Sequence, residues 1–266
     1  MGLLAGLAAA AVALSLIMAG AWKVQRVTGN SGWIDVIWTF GTGAVACGLA
    51  LLPLQDQDFA GWRQLVSAAF AACWSLRLGW HIAMRTRSVD DDPRYRAKLD
   101  GWGPRAAIRL FWFLQAQAAV ALVLVAAVML AAHQPEPSLR WQDVLAIAVF
   151  LAGAGFEALA DAQLQRFKRT SSDKLAVCDF GVWRWSRHPN YFGEWLGWCA
   201  WPLFAIGTGY PAGWLALLAP LFIYWTLIYA SGIPPLEEHM AKSRPRAFAA
   251  YKDRTNAFFP GPPRGT

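Results

Sequence analysis

Charge is what this chain has least of. Of its 266 residues, 15% are charged and 56% apolar, where an ordinary soluble domain carries about 25% and about 45–50%. A chain so poor in charge lacks what a soluble globule needs to cover its surface, which argues against that class. Disorder is excluded: a mean hydropathy of +0.31 and sixteen Trp are the reverse of the weakly hydrophobic, aromatic-poor composition it requires. Cysteine is scarce. Cys47, Cys73, Cys178 and Cys199 stand far apart with no CxxC pair, which removes zinc knuckles and disulfide frameworks; three of them fall in apolar runs, where Cys acts as a small buried hydrophobe. No strand pattern is evident and no GxGxxG follows one, so the phosphate-cradling loop of a Rossmann fold is missing. Internal repeats and long linkers are missing too, leaving residues 1–266 as a single membrane domain.

What is present is a series of apolar runs. A bilayer-spanning helix needs about 20 mostly apolar residues, and such runs occur at 3–21, 34–53, 65–84, 110–132, 144–164, 191–206 and 214–229. The expected fold is therefore an all-α bundle of seven transmembrane helices, the last two forming a tight hairpin. The net charge of +7 does not point to nucleic acid, because the basic residues alternate with these blocks. Twenty-one of the 24 Lys and Arg fall in loops of one parity or in the tail, while Arg63 and Arg140 lie in the opposite loops and Arg77 lies inside the third run. Lys and Arg gather in cytoplasmic loops, so the N-terminus is expected outside and the C-terminus in the cytoplasm. The first run lacks a basic n-region and reads as a retained helix rather than a signal peptide.

Ionisable groups within a membrane are costly and mark functional sites. Those here are Asp35 in the second run, Arg77 and His81 in the third, Glu157 and Asp161 in the fifth, and Glu194 in the sixth. Glu157 and Asp161 are four apart and share a helical face; so do Asn190 and Glu194. A plain pairing of Asp35 with Arg77 is the structural alternative for those two. The densest segment is Arg187-His188-Pro189-Asn190-Tyr191-Phe192-Gly193-Glu194. Pro189 favours the first turn of a helix, which puts Arg187 and His188 at a positive helix end suited to an anion. Gly193 and Gly197 would let a neighbouring helix or flat ligand come close. The tail, with Glu237, Glu238, His239 and Tyr251, has the content of a lid over an anionic cofactor. The run Asp90-Asp91-Asp92 among four Arg reads as a self-neutralising loop, and no metal is expected.

Residues 155–260 resemble the C-terminal domain of the steroid 5-alpha-reductase family, closest to its uncharacterised bacterial membrane branch. The Arg187–Glu194 string is also similar to the signature of sterol reductases. The resemblance implies an enzyme of a bacterial cytoplasmic membrane that uses NADPH to saturate a double bond conjugated to a carbonyl in a lipophilic, steroid- or isoprenoid-like molecule. It implies cofactor contacts at Arg77, Glu157, Asp161, Arg166, Lys168, Asn190, Glu194, His239 and Tyr251. The phosphates are expected at Arg187, His188, Lys168 and Arg166, with Tyr191 in the same constellation. The family's carbonyl-binding residues are lacking: the second run has no Gln or Glu, and Trp74 stands where a Tyr is usual. Asp35, kept protonated by burial, is the expected proton donor and His81 the second choice, with Trp38, Trp74 and Trp80 walling an apolar slot.

A looser pattern, Arg-His-Pro-x-Tyr-x-Gly with a late Glu-Glu pair, resembles isoprenylcysteine carboxyl and phospholipid methyltransferases, which bind S-adenosylmethionine. Arg187, His188, Pro189, Tyr191, Gly193 and Glu237-Glu238 satisfy it. A non-catalytic protein that binds membrane lipid is the third possibility.

Overall fold

In the computed structural model the described residues are 2–53, 61–88, 91–173 and 175–264, so Asp90, Lys174 and Thr266 lie outside them. Every regular element among the described residues is helical. The chain divides into two compact units, one of residues 1–138 and 204–218, the other of residues 139–203 and 219–266.

The first unit contains α1 (Leu3–Thr28), α2 (Gly32–Leu51), α3 (Trp62–Thr86), α4 (Pro93–Trp102) and α5 (Ala106–Ala132). Ala- and Leu-rich runs propagate α1 until Gly29, whose φ of 71° is a left-handed conformation glycine adopts without a Cβ penalty. Small residues let α2 meet α3 at backbone range. A Cβ on Gly43 would sit 2.2 Å from the Ser75 side chain, and the Ser75 hydroxyl donates to the Thr39 carbonyl at 3.1 Å. Leu14 and Met18 of α1 and Leu110, Leu114 and Leu124 of α5 are fully buried. The Ser15 hydroxyl donates to Gln115 Oε1 at 2.7 Å across those two helices.

The second unit is built on α6 (Trp141–Thr170), α7 (Pro189–Trp198), α9 (Leu218–Trp225), α10 (Ile233–Ser243) and α11 (Pro245–Arg254), with the six-residue α8 (Ala200–Ala205) between α7 and α9. The start of α6 is fixed by Asp143, which accepts from the Arg140 backbone N–H at 2.8 Å and pairs with its guanidinium at 2.8 Å. Helices α6 and α7 cross on glycine. A Cβ on Gly193 would lie 2.7 Å from the Glu157 nitrogen and 2.8 Å from the Gly153 carbonyl oxygen; one on Gly153 would lie 2.5 Å from the Gly197 nitrogen. The close approach expected of these glycines is thus to a helix.

Among the described residues, five stretches are long and apolar enough to cross a membrane: Leu3–Thr28, Gly32–Leu51, Pro93–Ala132, Trp141–Thr170 and Pro211–Ser243. The expected seven differ at two places. Helix α3 has the length, 25 residues, but carries Arg63, Gln64, Arg77 and His81. The sixth run is interrupted at Cys199, leaving α7 and α8 with 10 and 6 residues. Pro202 contributes to that break, because it has no N–H to continue the ladder.

The glycine crossing is testable. Gly193→Ala should lower the protein's stability by about 1–3 kcal/mol through overpacking. Gly197→Ala, whose Cβ would meet nothing within 4 Å, should leave it within about 0.5 kcal/mol. Thermal melts in one detergent compare them.

Candidate functional site

The turn before α7 is shaped by its sequence. Pro189 opens the helix, as expected, and holds His188 outside helical geometry at φ −135° and ψ 57°, the restriction a following proline imposes. Arg187 and His188 therefore lie at the amino end of α7. Their donors turn to Glu237 of α10. Arg187 Nε and Nη2 approach Glu237 Oε1 at 2.8 and 2.7 Å, and His188 Nε2 lies 3.1 Å from the same oxygen. A carboxylate only accepts, so Nε2 carries the imidazole proton. Arg187 Nη1 donates to the carbonyls of Thr255, at 2.6 Å, and Lys252, at 3.4 Å. Arg187, expected to meet a phosphate, is 8% exposed and directs Nε, Nη1 and Nη2 to the tail.

Tyr251, expected at the cofactor, is likewise 3% exposed. Its hydroxyl donates toward the carbonyls of Trp183, at 2.5 Å, and Ser186, at 3.2 Å. The chain beyond it runs back along the same turn: the Arg187 N–H donates to the Asn256 carbonyl at 2.8 Å and the Gly261 N–H to the Trp185 carbonyl at 3.1 Å. Phe258 enters an aromatic cluster with Phe192, Trp195 and Tyr224.

The acidic face of α6 does meet α7. Asn190 Nδ2 donates to Asp161 Oδ1 at 3.1 Å, and Glu157, one turn earlier, is buried where its backbone abuts Gly193. Glu194 accepts from Trp198 Nε1 at 2.8 Å. Tyr191 stacks on His188 with ring centroids 5.6 Å apart. Arg166 and Lys168, farther along α6, are exposed, as is His239 on α10. These two cations are open to solvent; Arg187 is not.

A second polar centre lies in the first unit. Asp35 was expected to carry a proton or to pair with Arg77, and the structure gives it other partners. Arg94 Nη2 reaches its Oδ2 at 2.6 Å and the Tyr95 hydroxyl donates to its Oδ1 at 2.7 Å. Each carboxylate oxygen of Asp35 thus has one partner from the segment Arg94–Tyr95. Gln117 Nε2 donates in turn to the Tyr95 oxygen at 3.0 Å. Asp92 fixes Arg94 through contacts at 2.7 Å to Nη2 and 3.0 Å to Nε. Burial opposes its charge, but the hydrogen bonds and charge of Arg94 outweigh that and hold its carboxyl below the usual range. Of the acidic loop, Asp92 pairs with Arg94 and Arg85 and Asp91 with Arg96, as expected of a self-neutralising segment, while Asp90 lies outside the described residues.

The remaining expectations concern α3. His81 is exposed, and Arg77 is partly buried. Trp38 and Trp74 pack edge to face at 6.3 Å, Trp74 buried and Trp38 half-buried, whereas Trp80 is 63% exposed. The sequence reading missed Tyr95, Arg94, Gln117 and the pairing of Glu237. Tyr95 had one available signal, its place in the run Asp90-Asp91-Asp92-Pro93-Arg94-Tyr95.

Comparison with known proteins adds a family. A model described as "Protein of unknown function (DUF1295)" matches residues 21–255. The chain belongs to the DUF1295 family. An uncharacterized protein of Schizosaccharomyces pombe (strain 972 / ATCC 24843) is 25% identical over 274 residues, covering 90% of this chain and 75% of that protein. No solved structure matches.

This DUF1295 member has one group whose titration reads out the α7 turn. His188 has its pKa below the usual 6.5, first because it is buried and also because Arg187 is near, against the raising effect of Glu237. The unfolded chain therefore takes up a proton near pH 6.5 that the folded chain resists. The contribution of neutral His188 is complete above that pH and is lost as pH falls below it. Melting temperature should drop between pH 7 and pH 5 in the wild type, and His188→Gln, which keeps a donor for Glu237, should flatten that segment.

Proposed function

We propose that this protein is a membrane-embedded, NADPH-dependent reductase that saturates a conjugated carbon–carbon double bond in a lipophilic substrate. The observation that carries the reading is the Asn190–Asp161 contact at 3.1 Å. It joins the two segments, the end of α6 and the start of α7, in which the resemblance to steroid 5-alpha-reductases places cofactor contacts. In this reading α3 and the α7–α8 pair complete seven spans, with the N-terminus outside and the C-terminus in the cytoplasm, as the loop cations require.

The residues present suit a dinucleotide held by side chains. Asp161, Asn190 and Glu194 offer acceptors and an amide to hydroxyl and carboxamide groups, and Arg166 and Lys168 are solvent-accessible cations for phosphates. Arg187 and Tyr251 hold the turn against the tail. NADPH supplies the hydride when bound. Hydride addition at the β-carbon of an enone leaves an enolate, which must gain a proton at the α-carbon to give the saturated ketone.

The methyltransferase reading has one observation of its own: Glu237 of the Glu-Glu pair bonds directly to Arg187 and His188, joining both halves of that pattern. A ligand that binds only the folded state raises the melting temperature. NADPH should stabilise the wild type and fail to stabilise Asn190→Ala. Stabilisation by S-adenosylmethionine alone would assign the methyltransferase, and stabilisation by neither would leave lipid binding. With an NADPH response in hand, oxidation of NADPH with a panel of lipophilic enones should be detectable in the wild type and largely lost in Asn190→Ala. Full turnover in Asn190→Ala would refute the cofactor site.

A further inference from the structure

Helix α10 is attached to the second unit differently from its neighbours. Among its described residues only Ile233 is buried, whereas α11 buries Phe248 and Tyr251 and is tied by the Tyr251 hydroxyl. A helix that contributes one buried apolar side chain has little hydrophobic free energy holding it down, since burial is worth only about 1.5–3 kcal/mol per large side chain. Its other anchor is Glu237, whose Oε1 is shared by Arg187 and His188 and whose Oε2 lies 4.0 Å from Lys252 Nζ of α11. The ion pair Lys242–Glu238 lies within α10, at 2.6 Å, and ties it to nothing else.

The segment leading into α10 is built to bend. Residues Thr226–Ala230 form a π-turn, a rare geometry that interrupts an α-helical ladder. Both the Ser231 and Gly232 N–H groups donate to the one Thr226 carbonyl, at 2.9 and 3.2 Å. Gly232 tolerates no side chain: its Cβ would lie 2.5 Å from the Leu227 carbonyl oxygen. Pro234 and Pro235 follow, and neither has an N–H to continue the ladder of the preceding helix. On the far side, Arg244 has φ −141° and ψ 56°, outside helical geometry, and separates α10 from α11. The arm is therefore short, jointed at both ends, and pinned in the middle.

We propose that α10 is a gate, latched by Glu237 on Arg187 and His188, that opens about the π-turn and Gly232 to uncover the turn before α7. The part played by a phosphate-bearing dinucleotide rests on the function proposed above: such a ligand enters and leaves while the latch is open. The latch itself does not depend on that reading. Arg187 stays anchored when the gate opens, because the Thr255 and Lys252 carbonyls still accept from Nη1. The α11 anchor and the strap through Asn256 and Gly261 stay in place, so the motion is confined to the arm between the joints.

Hydrogen–deuterium exchange on the full-length protein in detergent tests the latch without any ligand. In Glu237→Gln the amides of residues 236–243 should exchange about tenfold faster than in the wild type, while those of 248–254 stay unchanged. Glu238→Gln, which removes only the pair internal to α10, should exchange as the wild type does. If Glu237→Gln fails to fold, Glu237→Asp keeps the charge but shortens its reach, and the same selective acceleration is expected. Unchanged exchange in α10, or equal acceleration in α10 and α11, overturns the gate. A second arm measures NADPH dissociation by stopped flow. Faster release from Glu237→Gln supports gating, equal release overturns it, and absence of NADPH binding to the wild type refutes the functional reading while the exchange result still decides the latch.

Discussion

The second unit depends on the burial of one guanidinium. Arg187 is 8% exposed, and a charge so removed from water is tolerable only when its donors are answered. The answer comes from three places distant in sequence: Glu237 on α10, and the Lys252 and Thr255 carbonyls at the end of α11. Satisfying one side chain thus folds the tail onto the α7 turn. The Tyr251 hydroxyl and the strap at Asn256 and Gly261 then pair the backbone groups that this folding buries. The two carbonyls hold Arg187 to the end of α11 independently of Glu237, so the tail keeps its place on the turn through backbone contacts as well as through the ion pair.

The second constraint is steric. Gly153 and Gly193 let α6 and α7 touch along their backbones, and in a membrane close packing of this kind is a main source of helix association. The crossing decides which polar side chains become neighbours. With Gly193 against the backbone of Glu157, Asn190 is one turn away at the level of Asp161, and their contact follows. The acidic face and the amide that the proposed cofactor site needs are therefore products of helix packing rather than of a loop motif.

Much of this was legible in the sequence. The helical character, five of the long apolar helices, the start of α7 at Pro189 and the close approach at Gly193 follow from composition, spacing and proline geometry. What escaped depends on partners chosen across long separations. Asp35 bonds Arg94 and Tyr95, about 60 residues away, because α4 places both there, and no periodicity within α2 could distinguish Arg94 from Arg77. Arg187 looked like a phosphate ligand because two cations at a helix start are what anions need, and an internal carboxylate satisfies the same chemistry. The break at Cys199 was hidden by an unbroken apolar run, in which hydropathy is blind to the missing N–H of Pro202.

The claim on which the rest turns is that the second unit holds NADPH by the side chains of α6 and α7. Sixteen Trp make energy transfer from tryptophan to the reduced nicotinamide a direct measure of occupancy. Titration of the purified protein with NADPH should give saturable transfer, abolished in Asn190→Ala and weakened in Arg166→Ala and Lys168→Ala. Transfer that does not saturate, or that is equal in the wild type and Asn190→Ala, would contradict the account.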